Sequence, residues 1–238
     1  MTGAEWCDFR GERMTDPRSG DQVAHKKLDS IVRGELRDDA VHAIRRYFEE
    51  PTAQNGRIGF TGRRFERFEG GGDRPEIRDV ITPADVLAVT LLGIKRGIGR
   101  VSLAVVEDRH EEITDLLRRI PVAELHNVTY DVIDRSSDAW QLWTLLCAAG
   151  GEHRPVTACK LLARKRPTLL PVYDAVVKEQ LNNSRNIWQC YWRWFNEDPS
   201  RVTDAESLRV EVEGIGDVSL LRCLDVALWM FGTGRAGQ

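Results

Sequence analysis

The sequence predicts a mainly α-helical protein. Apolar residues recur at helical spacing along most of the chain, residues typical of helix starts precede many of these runs, and period-two alternation is rare. The 238 residues are enough for one hydrophobic core without disulfides or metals to stabilise it. We therefore expect a flexible N-terminal tail over 1–24, which has no periodicity, and a single helical domain over 25–238.

The first half contains helical segments separated by one long loop. Helical spacing extends over 23–50 and again over 101–120, where it predicts one or two helices. Between them, 51–83 is rich in glycine and charge and predicts a long structured loop. Thr82 followed by Pro83, with a carboxylate two residues later, predicts the start of an apolar helix.

The second half carries clearer start and stop residues. Serine and aspartate at 136–138 predict a helix start, and two glycines at 150–151 predict its end. Further helices are predicted from Pro155 to about Arg166, from Asp174 through Leu181, over the aromatic run 188–195, and over 218–231.

The charge balance excludes a chain-wide basic surface. Lysine and arginine number 34 and aspartate and glutamate 37, so the net charge is −3. Any site for a polyanion must therefore be a local patch. No apolar run is long enough to span a bilayer, and the N-terminus has no apolar signal segment, so we expect a cytoplasmic protein without a membrane partner.

The cysteines do not suggest a metal or an iron–sulfur cluster. There are five, with wide spacings and no Cys-x-x-Cys pair. We expect buried free thiols, no metal and no other cofactor. Nothing in the sequence indicates an obligate protein partner.

The stretch over 140–177 concentrates the residues that can carry chemistry. It reads as a helix, a short glycine-containing hairpin, a second helix and a proline-bounded connector. On the second helix Thr157, Lys160 and Arg164 share one face, and five cations lie within 154–166. This predicts a local basic patch, with a solvated helix face as the alternative. Backbone N–H groups at such a hairpin suit a phosphate.

Two motifs in this stretch carry a resemblance. Pro-Val-Thr-Ala at 155–158 and Lys-Arg-Pro-Thr-Leu-Leu-Pro-Val-Tyr-Asp at 165–174 resemble the core of the helix-hairpin-helix DNA glycosylases. In that superfamily a hairpin grips the DNA backbone, and an apolar connector leads to a catalytic aspartate roughly twenty residues beyond it. Gly151 and Asp174 fit that spacing.

The resemblance implies a site. Asp174 would be the catalytic carboxylate, although an aspartate before a helix is commonly just an N-cap. A negative charge there stabilises the oxocarbenium character that develops on the sugar as the glycosidic bond breaks. The implied contacts with the DNA backbone are Gly150, Gly151, Thr157, Lys160, Arg164, Lys165 and Arg166.

The sequence also departs from the superfamily pattern. The usual Leu-Pro-Gly-hydrophobic-Gly hairpin is replaced by Ala-Ala-Gly-Gly-Glu-His at 148–153, and no four-cysteine loop is present. Bifunctional members use a lysine where this chain has Val156, so we expect no lyase activity; Lys160, one turn further, is the alternative nucleophile. The whole chain also resembles an uncharacterised bacterial family that shares Lys-Leu-Leu-Ala-Arg-Lys-Arg-Pro at 160–167.

Four residues are candidates for a base pocket. Flipped bases stack on aromatic side chains, which suggests Tyr173 and Trp192, and Phe60 with Arg63 lies in a glycine-rich loop. Packing in the core is the alternative for each. The resemblance thus implies a monofunctional DNA glycosylase for a damaged or modified base. Its setting would be DNA repair or, with a hypermodified pyrimidine in phage DNA as the substrate, antiviral defence. The alternative is a non-catalytic helix-hairpin-helix protein that binds DNA.

Overall fold

The structure, a computed structural model, describes residues 17–49, 59–184 and 186–236. Within these residues it is mainly helical and has no strand, as predicted. The α-helices are α1 Pro17–Val32, α2 Arg37–Phe48, α3 Pro83–Leu91, α4 Ile98–Leu103, α5 His110–Arg119, α6 Asp138–Ala148, α7 Pro155–Lys165, α8 Ala175–Gln180, α9 Ile187–Glu197, α10 Ser200–Val210 and α11 Leu220–Gly232.

The predicted helix starts are confirmed where a capping residue is present. Thr82 caps α3, and its hydroxyl and the Asp85 carboxylate exchange hydrogen bonds with each other's backbone N–H groups. The Ser137 hydroxyl accepts from the Trp140 N–H at 3.1 Å and starts α6. Pro155 is the first residue of α7, where its missing N–H costs nothing.

Two boundaries differ from the prediction. α1 begins at Pro17, so part of the predicted tail is helical, and residues 1–16 lie outside the described part of the chain. The segment over 101–120 is split: α4 passes into a π-helical stretch, Ala104–Asp108, before α5 begins. The described part of the long loop, after Gly59, contains the 3-10 turns Thr61–Arg64 and Phe68–Gly70.

Two buried helices organise the core. α11 packs against α2 and α8, and nearly every residue from Leu220 to Leu228 is buried. α7 packs against α6 and α3, and its residues are buried around the whole helix from Thr157 onward. No described helix is both long and apolar enough to cross a membrane.

The end of α7 places several cations inside the protein. Asp85 is fully buried, and its carboxylate accepts from Arg164 Nε at 3.1 Å and from Lys165 Nζ at 2.8 Å. The Arg164 guanidinium also donates to the carbonyl of Glu66 at 2.6 Å and to those of Phe65 and Phe68. These bonds attach the long loop to α7.

Arg166 makes a second attachment of the same kind. Its guanidinium donates to Asp79 Oδ1 at 2.6 Å, to the Arg78 carbonyl at 2.7 Å and to the Leu117 carbonyl at 2.6 Å. The loop and the end of α5 are thereby joined to the residue that follows α7. Buried charges of this kind are tolerated because each donor finds an acceptor.

The prediction that α7 presents a basic face to DNA is therefore wrong. Each side chain assigned to that face is at most 5% exposed, and the cations are paired with carboxylates or backbone carbonyls. The residues concerned are Thr157, Lys160, Arg164, Lys165 and Arg166. Helical spacing placed three of them on one face correctly, but that face lies against the long loop and α3 rather than solvent.

Gly72 lies where the loop backbone passes close to this cluster. A Cβ atom built there would lie 2.6 Å from Asp85 Oδ1 and 2.7 Å from both Arg164 Nε and the Arg164 carbonyl oxygen. The backbone can approach the buried ions this closely only because glycine has no side chain.

We predict that Asp85→Asn lowers the free energy of unfolding by about 3–5 kcal/mol, because it leaves two buried cations without their counter-ion. Urea denaturation measures this change. Asp115→Asn is the control, since Asp115 pairs with Arg118 at 3.3 Å on the exposed face of α5 and should cost no more than about 1 kcal/mol. Equal losses in the two variants would contradict the structural role assigned to Asp85.

Candidate functional site

The apolar connector, residues 167–174, links α7 to α8. A pocket of about 260 Å³ lies beside its C-terminal half. Its walls come from α2, the end of α3, α7, α11, the segment over 60–62 and the connector at Val172 and Asp174. This volume is just below the range of about 300–1,000 Å³ typical of small-molecule sites and suits a ligand of one or two rings.

Asp174 caps α8 and also lines the pocket. Its Oδ1 accepts from the Val176 N–H at 2.9 Å, which is the predicted N-cap bond. Its Oδ2 lies 3.4 Å from Lys160 Nζ, and the side chain remains 25% exposed. The carboxylate therefore reaches the cavity while the helix holds it in place.

Lys160 is the buried partner of Asp174. Its Nζ donates to the Leu92 carbonyl at 2.9 Å, and the side chain is almost fully buried. Burial lowers the pKa of the ammonium group, whereas the nearby carboxylates of Asp174 and Asp225 oppose that shift. The bonds to Leu92 and Asp174 fix the position of the ammonium group at the pocket wall.

A second ion pair lies across the pocket on α11. Arg222 donates to one oxygen of Asp225, to the Tyr47 hydroxyl at 2.7 Å and to the Gly62 carbonyl at 3.2 Å. Burial raises the pKa of the Asp225 carboxyl to about 6, although Arg222 acts to lower it. Arg222 thus connects α11, α2 and the loop segment in one wall.

The remaining wall is aromatic. The rings of Tyr47 and Phe60 are stacked with centroids 5.0 Å apart, and Trp229 meets Phe60 edge-on at 5.7 Å. Arg235 lies 5.0 Å from the Trp229 ring centroid in a cation–π contact. A planar ligand can bind against such a surface, with the two carboxylates and Lys160 close by.

The segment predicted to form a hairpin is the turn between α6 and α7, and the helix-hairpin-helix element itself stays a prediction. Gly150 and Gly151 both have φ of +80°, a conformation that glycine adopts without strain. A Cβ at Gly150 would lie 3.1 Å from the backbone of Arg100, so the turn packs against α4. Gly151 is exposed, but its N–H already donates to the Ala148 carbonyl.

Exposed cations lie in the neighbouring loop instead. Lys95 and Arg96 follow Gly93, which lines the pocket, and neither makes an ion pair within the described residues. The Arg154 side chain, which follows the α6–α7 turn, donates to the Arg96 carbonyl at 3.1 Å. The loop over 93–97 therefore connects the pocket to this turn and presents two charges to solvent.

The structure separates the four residues predicted for the base pocket. Only Phe60 lies with Asp174. Tyr173 lines a second cavity of about 250 Å³, with Trp140 and Trp188. Trp192 donates its indole N–H to the Val128 carbonyl at 2.8 Å and packs against Tyr130. Arg63 is half-buried and donates to the Phe60 carbonyl rather than lining the pocket.

Sequence reasoning missed the pocket residues on α2 and α11. Nothing in the sequence of α2 sets Tyr47 apart from the other aromatic and apolar residues of an amphipathic helix. α11, by contrast, did contain a usable pattern: Arg222 and Asp225 are opposite charges three residues apart within an otherwise apolar run. Buried charges of this kind are uncommon and often mark a functional site.

Comparison with known proteins places the chain in one family. Residues 40–232 match the Family of unknown function (DUF6308). The chain belongs to this family. No curated protein matches the chain, and no solved structure matches it. The segment matched to DUF6308 contains every pocket residue named above except Arg235.

Glu66 lies next to this site, and its buried carboxyl should make the stability of the protein depend on pH. Its Oε1 accepts from the Ser219 hydroxyl at 3.1 Å, while Oε2 has no hydrogen-bond partner among the described residues. Burial raises the pKa of its carboxyl from 4.5 to about 7, although Arg222 and Ser219 act to lower it. The protonated carboxyl is thus favoured in the folded state.

We predict that the stability gained by burying Glu66 in its protonated form is fully present below about pH 4.5. It is lost as the pH rises through 7, because the buried carboxyl then ionises. Between pH 5 and 7.5 the wild type should lose about 1–3 kcal/mol more unfolding free energy than Glu66→Gln, which stays neutral. Urea denaturation across this range measures the difference, with exposed Glu69→Gln as the control. Parallel pH profiles for wild type and Glu66→Gln would contradict the assignment.

Proposed function

We propose that the protein is a DNA glycosylase that binds a flipped, modified base in the pocket beside Asp174 and hydrolyses its N-glycosidic bond. One observation carries this proposal: the aspartate singled out by its sequence context lines an aromatic-walled pocket and is not only a helix cap. A DNA-binding protein without catalysis would not need a carboxylate at such a pocket.

The geometry suits the chemistry. Breaking the glycosidic bond leaves positive charge on the sugar, and a fixed carboxylate stabilises that charge. Water supplies the hydroxyl that the sugar gains and the proton that the released base gains. The N-cap bond from Val176 occupies Oδ1, and Oδ2 of Asp174, which Lys160 contacts at 3.4 Å, has a second lone pair for the sugar or the water.

Lys160 acts in this proposal as a positioning residue. Its ammonium group donates to the Leu92 carbonyl and lies beside Asp174 Oδ2, so it orients the carboxylate. In this role Lys160 holds the carboxylate in place and does not attack the sugar. The product is then an intact strand with an abasic site.

The DNA backbone is contacted through the loop over 93–97 and the hairpin rather than through α7. Lys95 and Arg96 are exposed beside the pocket, and Gly151 is exposed at the neighbouring turn. Charges at this edge would hold the phosphates that flank a flipped nucleotide.

The first test is Asp174→Asn. Asparagine still caps α8 through its side-chain oxygen but carries no charge, so we predict an intact fold, unchanged DNA affinity and a loss of base release of about a hundredfold or more. Activity is scored as alkali-labile sites on a panel of unmodified, damaged and modified-base DNAs, with modified pyrimidines included.

Asp138→Asn is the matched control, since Asp138 lies in the first turn of α6 and pairs with Arg119. Full activity in Asp174→Asn would show that Asp174 is only a cap. Strand cleavage should require alkali in the wild type. A covalent adduct trapped by borohydride, and lost in Lys160→Gln, would instead identify Lys160 as a nucleophile.

The second test concerns the backbone contacts. We predict that Lys95→Glu with Arg96→Glu weakens DNA binding and reduces the slope of log affinity against log salt by about 1–2, since up to two phosphate contacts are lost. Fluorescence anisotropy at several salt concentrations measures both quantities. Arg118→Glu, on the exposed face of α5, should change neither. An unchanged slope in the double variant would exclude this loop from the DNA interface.

A further inference from the structure

One oxygen of a buried carboxylate in the pocket has no partner. Asp225 is 2% exposed and lies in the apolar helix α11. Arg222, one turn before it, donates to Oδ2. Oδ1 is buried and accepts no hydrogen bond from any described residue. Burying a carboxylate oxygen without a hydrogen-bond donor costs free energy, so the presence of such an oxygen in the folded protein calls for an explanation.

The groups around Asp225 are already engaged. Arg222 directs its other nitrogen to the Tyr47 hydroxyl and the Gly62 carbonyl. Lys160 donates to the Leu92 carbonyl and pairs with Asp174. Asp225 lines the pocket, but its Oδ1 has almost no accessible surface, so a small rotation of the carboxylate must accompany binding before a molecule there can supply the missing donor. An ionised carboxylate only accepts hydrogen bonds, so that molecule must present an N–H or O–H group.

The aromatic walls of the pocket restrict the class of molecule that can supply this donor. Phe60 and Trp229 form an edge-to-face pair on one wall, and the Arg235 guanidinium lies over the Trp229 ring. Aromatic walls of this kind favour a flat ring. A nucleobase is a flat ring of this kind with a polar N–H at its edge, whereas an aliphatic or purely apolar ligand lacks one of these features.

We propose that Asp225 selects the base by accepting a hydrogen bond from a ring N–H or amino group through Oδ1. The carboxylate thereby determines specificity and is separate from Asp174, which faces the sugar. The inference rests on the proposed function for the source of the base, a nucleotide flipped from DNA, but recognition by Asp225 can be measured without DNA.

The test uses two free probes that differ in one donor. 1-Methyluracil carries an N3–H, and 1,3-dimethyluracil has the same ring and carbonyls with a methyl group in its place. NMR titration of the wild-type protein should show binding of 1-methyluracil at least about tenfold tighter than of the dimethyl analogue, because a hydrogen bond to a charged group is lost. Equal affinities, or no binding of 1-methyluracil, would overturn the proposal.

Asp225→Asn tests the residue directly. Arg222 can only donate, so it should hold the asparagine carbonyl and leave the amide NH₂ toward the pocket. The ratio of the affinity for 1-methyluracil to that for 1,3-dimethyluracil should then fall to about one or below one. Circular dichroism establishes that the variant is folded; if it is not, the wild-type ratio alone decides. A preference unchanged in folded Asp225→Asn would overturn the assignment.

Tyr191→Phe is the control. The buried Tyr191 hydroxyl also has no hydrogen-bond partner among the described residues, and the nearby Asp225 charge contributes to the raised pKa of that hydroxyl. If the base satisfies Asp225, the variant should keep the wild-type preference; a lost preference would assign the role to Tyr191 instead. Base release that depends on Asp174 with no effect of Asp225→Asn would reject this inference alone. A shifted preference without cleavage of any DNA would reject the glycosylase alone.

Discussion

The carboxylate of Asp85 lies between two buried cations, and the arrangement of the candidate site depends on it. It holds Arg164 and Lys165 inside the protein and completes the cap of α3 at the same time. Arg164 in turn binds three carbonyls of the long loop. Three elements distant in sequence are therefore joined at one point, and the cost of burying charge is offset by complete pairing.

This cluster also determines where the pocket forms. α7 enters the core with Lys160 one turn before Arg164, so the contacts of Arg164 fix the depth at which Lys160 meets Asp174. The loop that Arg164 anchors carries Phe60 and Gly62 to the opposite wall. An acidic protein can therefore keep several cations that never reach solvent, and its surface charge gives little indication of them.

Much of the local structure could be predicted from the sequence, because helix starts are encoded by neighbouring residues. Thr82, Ser137 and Asp174 each cap a helix through a side chain that accepts an N–H two or three residues later. The resemblance of the connector led to Asp174, which does line a pocket. Burial could not be predicted in the same way. α7 is enclosed on all sides, so its periodicity carries no information about which face is solvated.

The rest of the site needed tertiary contacts that no local pattern contains. Tyr47 and Arg222 meet although 175 positions separate them. Tyr173 and Trp192 had the right chemistry for a base pocket, yet the turn at Asp174 and the packing of α9 direct them elsewhere. Opposite charges within the apolar helix α11 were a local feature of this wall that the sequence analysis did not use.

Arg222 bonds to a tyrosine hydroxyl, a loop carbonyl and a carboxylate at once, and this has a consequence for dynamics. Three wall segments share one guanidinium, so none can move without breaking a buried hydrogen bond. The cavity is therefore preorganised, and an incoming molecule does not have to pay for ordering side chains around it. Discrimination between ligands should then arise from the complementarity of a rigid surface, with little closure after binding.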